Sequence, residues 1–230
     1  MGDEPVIQIA GVRNLKEALM LCEEGVTQIG FPLRLDFHAE DTSEDEAKRI
    51  VRALPSEVSK ALITYLTEPG EIVQLVAFLG VDTVQLHGQV TADSINRLRR
   101  LAPKTTIVRS LIVRDSAGAD LLERAYSVAH LVDFFLTDTY DPTTGASGAT
   151  GKTHDWAISR RLAEEVGKPL ILAGGLTSGN VRQAIHEVRP AGVDSHTGVE
   201  DAEGSKDRRL ARAFVREARE GFMELSEKSD

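Results

Sequence analysis

The chain has 230 residues, with 27 Lys and Arg against 36 Asp and Glu and a net charge of −9, and an isoelectric point near 5.2. That length suits one α/β barrel, typically of about 250 residues, and the acidic balance argues against nucleic acid as a partner. One cysteine, Cys22, excludes an intrachain disulfide; with no signal-like start and no apolar run near the ~18 residues of a membrane span, a cytoplasmic protein that meets no membrane is expected.

Short β-type runs alternate with amphipathic stretches along the chain. Strands are expected at 6–10, 27–31, 60–65, 82–86, 106–112, 131–137, 169–173 and 191–195. Helices are expected at 14–24, 43–53, 69–79, 92–101, 118–129, 155–166, 178–188 and 206–220. In the first helix Leu15, Ala18, Leu19 and Cys22 fall on one stripe, and Ile72, Leu75, Val76 and Leu79 repeat the pattern in the third. Gly25 and Gly80 lie just past these helices, where a glycine closes a helix. The last helix turns Leu210, Phe214 and Ala218 inward. Eight strand–helix units in order predict a single (βα)8 TIM barrel with parallel strands over 1–230, with an open doubly wound sheet as the rival. Residues 1–5 and the tail from Ser226 read as loose ends.

In such a barrel the site lies at the C-terminal ends of the strands. Glycine turns there aim backbone N–H groups at anions. Three segments have that character: Thr150-Gly-Lys-Thr-His-Asp-Trp156, Leu172-Ala-Gly-Gly-Leu-Thr177 and Gly192-Val-Asp-Ser-His-Thr-Gly-Val-Glu200. Gly174, Gly175 and Gly198 predict a phosphate cradle, to which Ser195, His196 and Thr197 add hydroxyl or imidazole donors. The expected partner is a phosphorylated small molecule; the oligomeric state is not legible. A ligand-free turn is the plain alternative for the glycines, and a hydrogen-bonded rim histidine for His196.

Asp138 closes the apolar run Phe134-Phe135-Leu136-Thr137. An acid there is costly to bury without a purpose; a cap is the alternative. Asp194 is placed to hold a sugar hydroxyl or to accept backbone N–H groups, and His87 to touch ligand or to sit satisfied in the core. Asp36, His38 and Tyr65 lie at or just beyond strand ends and are candidate bases, against a solvated loop for the first two and mouth packing for the tyrosine. Cys22 reads as core. The segment 140–151 reads as a loop that closes over ligand or as an idle one. No cofactor is expected. The six histidines show no HxH or HxxxH spacing, so no zinc site is read, while Mg²⁺ on acidic residues stays open.

Together these segments resemble the phosphoribosylanthranilate isomerase family of tryptophan biosynthesis over nearly the whole chain. The anchors are Gly30-Phe31, Val84-Gln-Leu-His-Gly88, Thr137-Asp138-Thr139 and the three glycine-bearing segments above. The resemblance implies a (βα)8 barrel and an Amadori rearrangement, with a general acid at the sugar ring oxygen and a general base at C2. It implies Asp138 as the acid. The family's base is a cysteine in Lys-Ile-Cys-Gly at the end of strand 1; here the motif reads Gln8-Ile9-Ala10-Gly11, so both cysteine and lysine are absent. A family Ser-Pro-Arg segment, whose arginine is expected to hold the anthranilate carboxylate, reads Phe37-His38-Ala39, with Arg34 a few residues earlier offering a cation. A family Val-Ser-Ser in strand 8 becomes Ser195-His196-Thr197, and Gln89-Val90 stands where an acidic pair is usual. The expectation is a divergent isomerase with Asp138 as acid and an altered base. The alternatives are a different phosphosugar isomerase or epimerase using Asp36 or His38, and a non-catalytic phosphosugar-binding protein.

Overall fold

Each predicted helix carries an apolar stripe and each strand a buried run, so strands must close into an inner layer that the helices cover. The computed structural model describes residues 4–36, 39–113, 118–139 and 153–227. Eight parallel strands form a closed barrel in chain order. They are β1 (Val6–Ala10), β2 (Gln28–Pro32), β3 (Ser59–Thr64), β4 (Thr83–Leu86), β5 (Thr106–Val113), β6 (Phe134–Thr139), β7 (Leu170–Leu172) and β8 (Gly192–Ser195). The helices are α1 (Leu15–Glu23), α2 (Glu44–Ala53), α3 (Pro69–Leu79), α4 (Ala92–Leu101), α5 (Gly118–Val128), α6 (Trp156–Glu165), α7 (Val181–Val188) and α8 (Arg208–Glu227). Closure by pairing of β1 with β8 excludes the open sheet.

The helix starts are capped as their sequences dictate. Asn14, Ser43 and Thr91 each accept the backbone N–H three residues on. Gly80 closes α3 at φ 79°, and Gly25, at φ 90°, follows α1. Most of the apolar core lies between barrel and helices, with Phe31, Phe135 and Phe214 fully buried. Cys22 packs partly buried against that layer, and burial raises its thiol pKa. No helix among the described residues is long and apolar enough to cross a membrane.

The larger departures from the expected boundaries fall in three elements. β6 begins at Phe134 instead of Leu131, because Ala129–Leu131 form a 3-10 turn. Asp133 then fixes the strand start: its carboxylate accepts from Ile107 N at 2.8 Å and from Arg99 at 2.6 Å. Asp138 therefore stands within the ladder, beside Ile112 of β5. α7 starts at Val181 because the residues before it belong to a turn. In that turn the Asn180 side chain accepts from Thr177 N at 2.8 Å and donates to Gly175 O at 3.0 Å. α8 starts at Arg208 and runs on to Glu227 instead of ending at 220.

The barrel interior is divided. One part is a small apolar cluster of Val6, Val108, Leu136, Ile171 and Ala173. Above it lies a polar layer. Gln8 sits in register with Gln28 of β2 and Asp194 of β8. The Gln8 amide donates to Gln85 Oε1 at 3.1 Å and to Asp194 Oδ1 at 2.9 Å, and accepts from Gln28. Gln8 is fully buried at 0% exposure, so each of these bonds offsets a desolvation cost.

Candidate active site

A cavity of about 300 Å³ opens at the C-terminal strand ends, and Ala10, Asp41, Tyr65, His87, Asp138 and His196 are among the residues that line it. A narrow recess adjoins it, walled by Gly174, Gly175 and the run Ser195 to Gly198. Asp138, Asp194 and His196 border both spaces. The strand ends of β6 and β8 thus join the two.

The recess is shaped by main chain. Gly174 and Gly175 take φ of 94° and 62°, a left-handed backbone that favours glycine. At Gly198 a β-carbon would lie 1.9 Å from the Leu176 carbonyl oxygen, so the loops after β7 and β8 approach as closely as two backbones can. Ser195 Oγ ties them by donating to that carbonyl at 2.8 Å. Beneath Gly174, Thr139 Oγ1 meets His154 Nδ1 at 3.0 Å, and His154 Nε2 meets Ser159 Oγ at 2.6 Å. Ser159 donates onward to Thr137 at 3.1 Å, which makes Nε2 the protonated nitrogen of His154. Burial pushes that imidazole down to about 4, so it stays neutral at physiological pH.

Two carboxyl groups face the junction. Asp138 is buried, and its Oδ1 accepts from Thr139 N at 2.7 Å. Burial lifts it to about 7; the Thr139 bond opposes this and the charge of Asp194 adds to it. Asp194 rises to about 6, chiefly by burial, against the stabilising Gln8 bond and the nearby His196 and Lys206. Asp138 therefore holds a proton near neutral pH, which an ordinary aspartate does not.

The strand-1 side is built from side chains. Gly11 turns at φ 78°, and a β-carbon there would meet His196 Nε2 at 2.0 Å and Asp41 Oδ2 at 2.8 Å. The imidazole thus rests directly on the chain that leaves β1. His196 Nε2 lies 3.5 Å from Asp41 Oδ2 and 3.4 Å from Glu200 Oε1. Burial by itself raises Asp41; His196, Lys206 and Arg13 outweigh that and hold it below the usual carboxylate range. Lys206, whose side chain is fully buried, donates to Glu200 at 2.7 Å and to His196 O at 3.1 Å.

Of the residues expected from sequence, Asp138, Asp194, His196, Gly174, Gly175, Ser195, Thr197 and Gly198 are brought together here. His87 lines the cavity, bonds Ser110 at 3.0 Å and stacks at a tilt 5.0 Å from Tyr65. Burial, with Asp138 and Asp36 adding to it, raises the Tyr65 hydroxyl far above its ordinary value, so it keeps its proton. Asp36 is exposed on the loop after β2, where Leu35, Ala39 and Asp41 line the cavity. His38, Phe37 and the segment 140–152 lie outside the described residues. Arg34 pairs with Glu44 at 2.8 Å, with its side chain 44% exposed. Sequence reasoning missed Asp41, which reads as a polar residue ahead of the α2 cap, and Arg13, the one Lys or Arg among the described residues that line the cavity. It also missed the Gln8 layer. No local pattern signals these groups, because their partners lie on distant strands.

The model of the N-(5'-phosphoribosyl)anthranilate isomerase family matches residues 7–217. N-(5'-phosphoribosyl)anthranilate isomerase 2 of Methanosarcina mazei is 36% identical over 220 residues, covering 95% of this chain and 96% of that protein. The Haloferax volcanii isomerase is 39% identical over 175 residues, 76% of this chain and 75% of its own length. Among solved structures, phosphoribosyl anthranilate isomerase from Thermotoga maritima superposes with a TM-score of 0.79 at 29% identity, over 94% of this chain and 98% of that one. A structure of such an isomerase with reduced 1-(o-carboxyphenylamino)-1-deoxyribulose 5-phosphate gives a TM-score of 0.76 at 28% identity, covering 94% and 98%.

Proposed function

The chain belongs to the N-(5'-phosphoribosyl)anthranilate isomerase family, and from that premise we propose that it rearranges N-(5'-phosphoribosyl)anthranilate to the aminodeoxyribulose phosphate, with Asp138 as general acid. One observation carries this: Asp138, lifted to about 7, stands where the glycine recess meets the cavity. A phosphate held by the backbone near Gly174, Gly175 and Gly198 sets the ribose against that carboxyl. Asp138 then gives its proton to the ring oxygen. The C1–O bond breaks as the nitrogen lone pair forms C1=N, and the developing alkoxide is neutralised as it appears. Asp194, oriented by the Gln8 amide, accepts from a sugar hydroxyl. Arg13, which lines the cavity where Arg34 does not, holds the aryl carboxylate with the N–H groups left beside its bonds to Glu203 O and Ser205 Oγ.

A second reading draws on the acidity of the same wall. Asp41, Asp138, Asp194 and Glu200 line the cavity against Arg13, which also suits a phosphosugar that carries no aryl acid. Turnover decides. Conversion of N-(5'-phosphoribosyl)anthranilate by the purified chain supports the first reading. Binding of the reduced product analogue without any conversion removes it.

A further inference from the structure

The family motif at the end of strand 1 carries a cysteine where this chain has Ala10, and another ionisable group lies beside that strand end. The imidazole of His196 lies against Gly11, the next residue along, and faces the same cavity as Ala10 and Asp138. We infer that His196, oriented by Asp41 and Glu200, is the general base that removes the C2 proton in this chain. The inference rests on the isomerase reading above.

The geometry supports the role in three ways. First, the base must share a cavity with the acid, and His196 borders both the cavity and the recess alongside Asp138. Second, the carboxylates of Asp41 and Glu200 lie at ion-pair distance from Nε2. They keep the proton on that nitrogen, leave the lone pair on Nδ1, and stabilise the imidazolium once it forms. Third, the ring is held from behind. Lys206 grips both the His196 carbonyl and Glu200, and Ser195, the preceding residue, is pinned to Leu176 O. A base fixed by its neighbours suffers less reorientation during proton transfer.

The chemistry balances. After ring opening the substrate has C1=N with a proton on C2. His196 takes that proton. The C2–H electron pair becomes C1=C2, and the imine π pair returns to nitrogen as a lone pair. The enol hydroxyl then gives its proton to the Asp138 carboxylate left by ring opening while C1 gains one, and the ketone results. The imidazolium supplies the proton that C1 needs, so no outside reagent is consumed. The groups facing His196 are Asp41 from the loop before α2, Glu200 and Lys206 from the chain between β8 and α8, and Asp194 from β8. Asp41 also feels Arg13.

The test starts with turnover by the native chain. Its complete absence overturns the isomerase reading and this assignment with it. Given turnover, His196→Asn is expected to lower kcat by about 10²–10⁴-fold, the worth of a positioned base. The dissociation constant for the reduced product analogue should stay within about threefold, and Tm should hold. Adding Ala10→Cys to His196→Asn should restore part of the rate, because a thiolate at the end of strand 1 reoccupies the family position. Asp41→Asn should cost less in kcat, since the imidazolium then keeps one of its two neighbouring carboxylates, Glu200. A kcat in His196→Asn within about threefold of native overturns the assignment and leaves the isomerase reading standing. So does a weakening of analogue binding that accounts for the whole loss of kcat/KM, which would make His196 a phosphate contact.

Discussion

At the ends of β7 and β8 the site is made of main chain: left-handed glycines, two loops in backbone contact and a hydroxyl tie between them. Around the end of β1 it is made of side chains: Ala10, Asp41 from the loop after β2, and, from the chain after β8, the His196 imidazole and Glu200, which the buried Lys206 holds. Both border one cavity, yet they tolerate change differently. A backbone cradle needs only glycines and short turns, so it persists while neighbouring side chains vary. A group of ionisable side chains depends on each member standing at one place, so it tolerates substitution less. Asp138 stands between the two regions.

The sharpest way to break this comparison is to remove the proposed acid, the carboxyl that stands between the two regions. Asp138→Asn should lower kcat by about 10²–10⁴-fold while leaving affinity for the reduced product analogue within about threefold, as read by steady-state kinetics beside calorimetric titration. In the native chain the acid must be protonated, so turnover should fall as pH rises through about 7, and the residual activity of the variant should lack that limb. Unchanged turnover in Asp138→Asn would falsify the acid assignment.

The proposed cradle is tested by Gly198→Ala, whose new methyl group would lie 1.9 Å from the Leu176 carbonyl oxygen, a backbone atom, and 2.7 Å from Ser195 Oγ. Overpacking costs about 1–3 kcal/mol, and about 1.4 kcal/mol is tenfold in affinity. Inorganic phosphate should therefore bind about 10–100-fold more weakly, with the analogue following. If phosphate competes as well as before, the anion does not lie in the recess. Arg13→Gln probes the other side. Loss of a charge-assisted bond to the aryl carboxylate should raise KM about tenfold and leave phosphate competition untouched; an unchanged KM removes Arg13 from the substrate.

A further expected effect is on stability. The folded pKa of Asp138, about 7, lies above the ordinary aspartate value of about 3.9. The folded state therefore binds this proton more tightly than the unfolded chain does. Stability should decline as pH rises from about 4 to about 7. In Asp138→Asn that part of the slope vanishes, so the variant should gain about 2–3 kcal/mol over native at pH 8 relative to pH 5. Urea melts at the two values measure it, and a parallel shift of both proteins would show that Asp138 is not the titrating group.

The barrel itself was legible in the chain because its signals are local. Apolar stripes at helical spacing, buried runs and closing glycines such as Gly80 each act within a few residues, and eight repeats leave few ways to assemble. The left-handed turns at Gly174 and Gly175 were legible for the same reason: they answer to their own φ angles. Asp138 was legible as a costly acid after an apolar run, although its strand begins three residues later than the pattern suggested, because Ala129–Leu131 turn and Asp133 anchors the start.

Other features depend on closing the ring. Nothing near Gln8 announces that it will meet Gln28, Gln85 and Asp194, since β1 touches β8 only once the barrel is complete. Nothing near Asp41 announces His196. Their juxtaposition over Gly11 arises because the loop after β2 and the turn after β8 flank β1 from opposite sides. The sequence by itself determined the repeating elements, the glycine turns and the absence of a thiol at position 10. The tertiary structure decided which polar groups share the mouth, because proximity between strands distant in sequence is a property of the closed sheet and not of any segment within it.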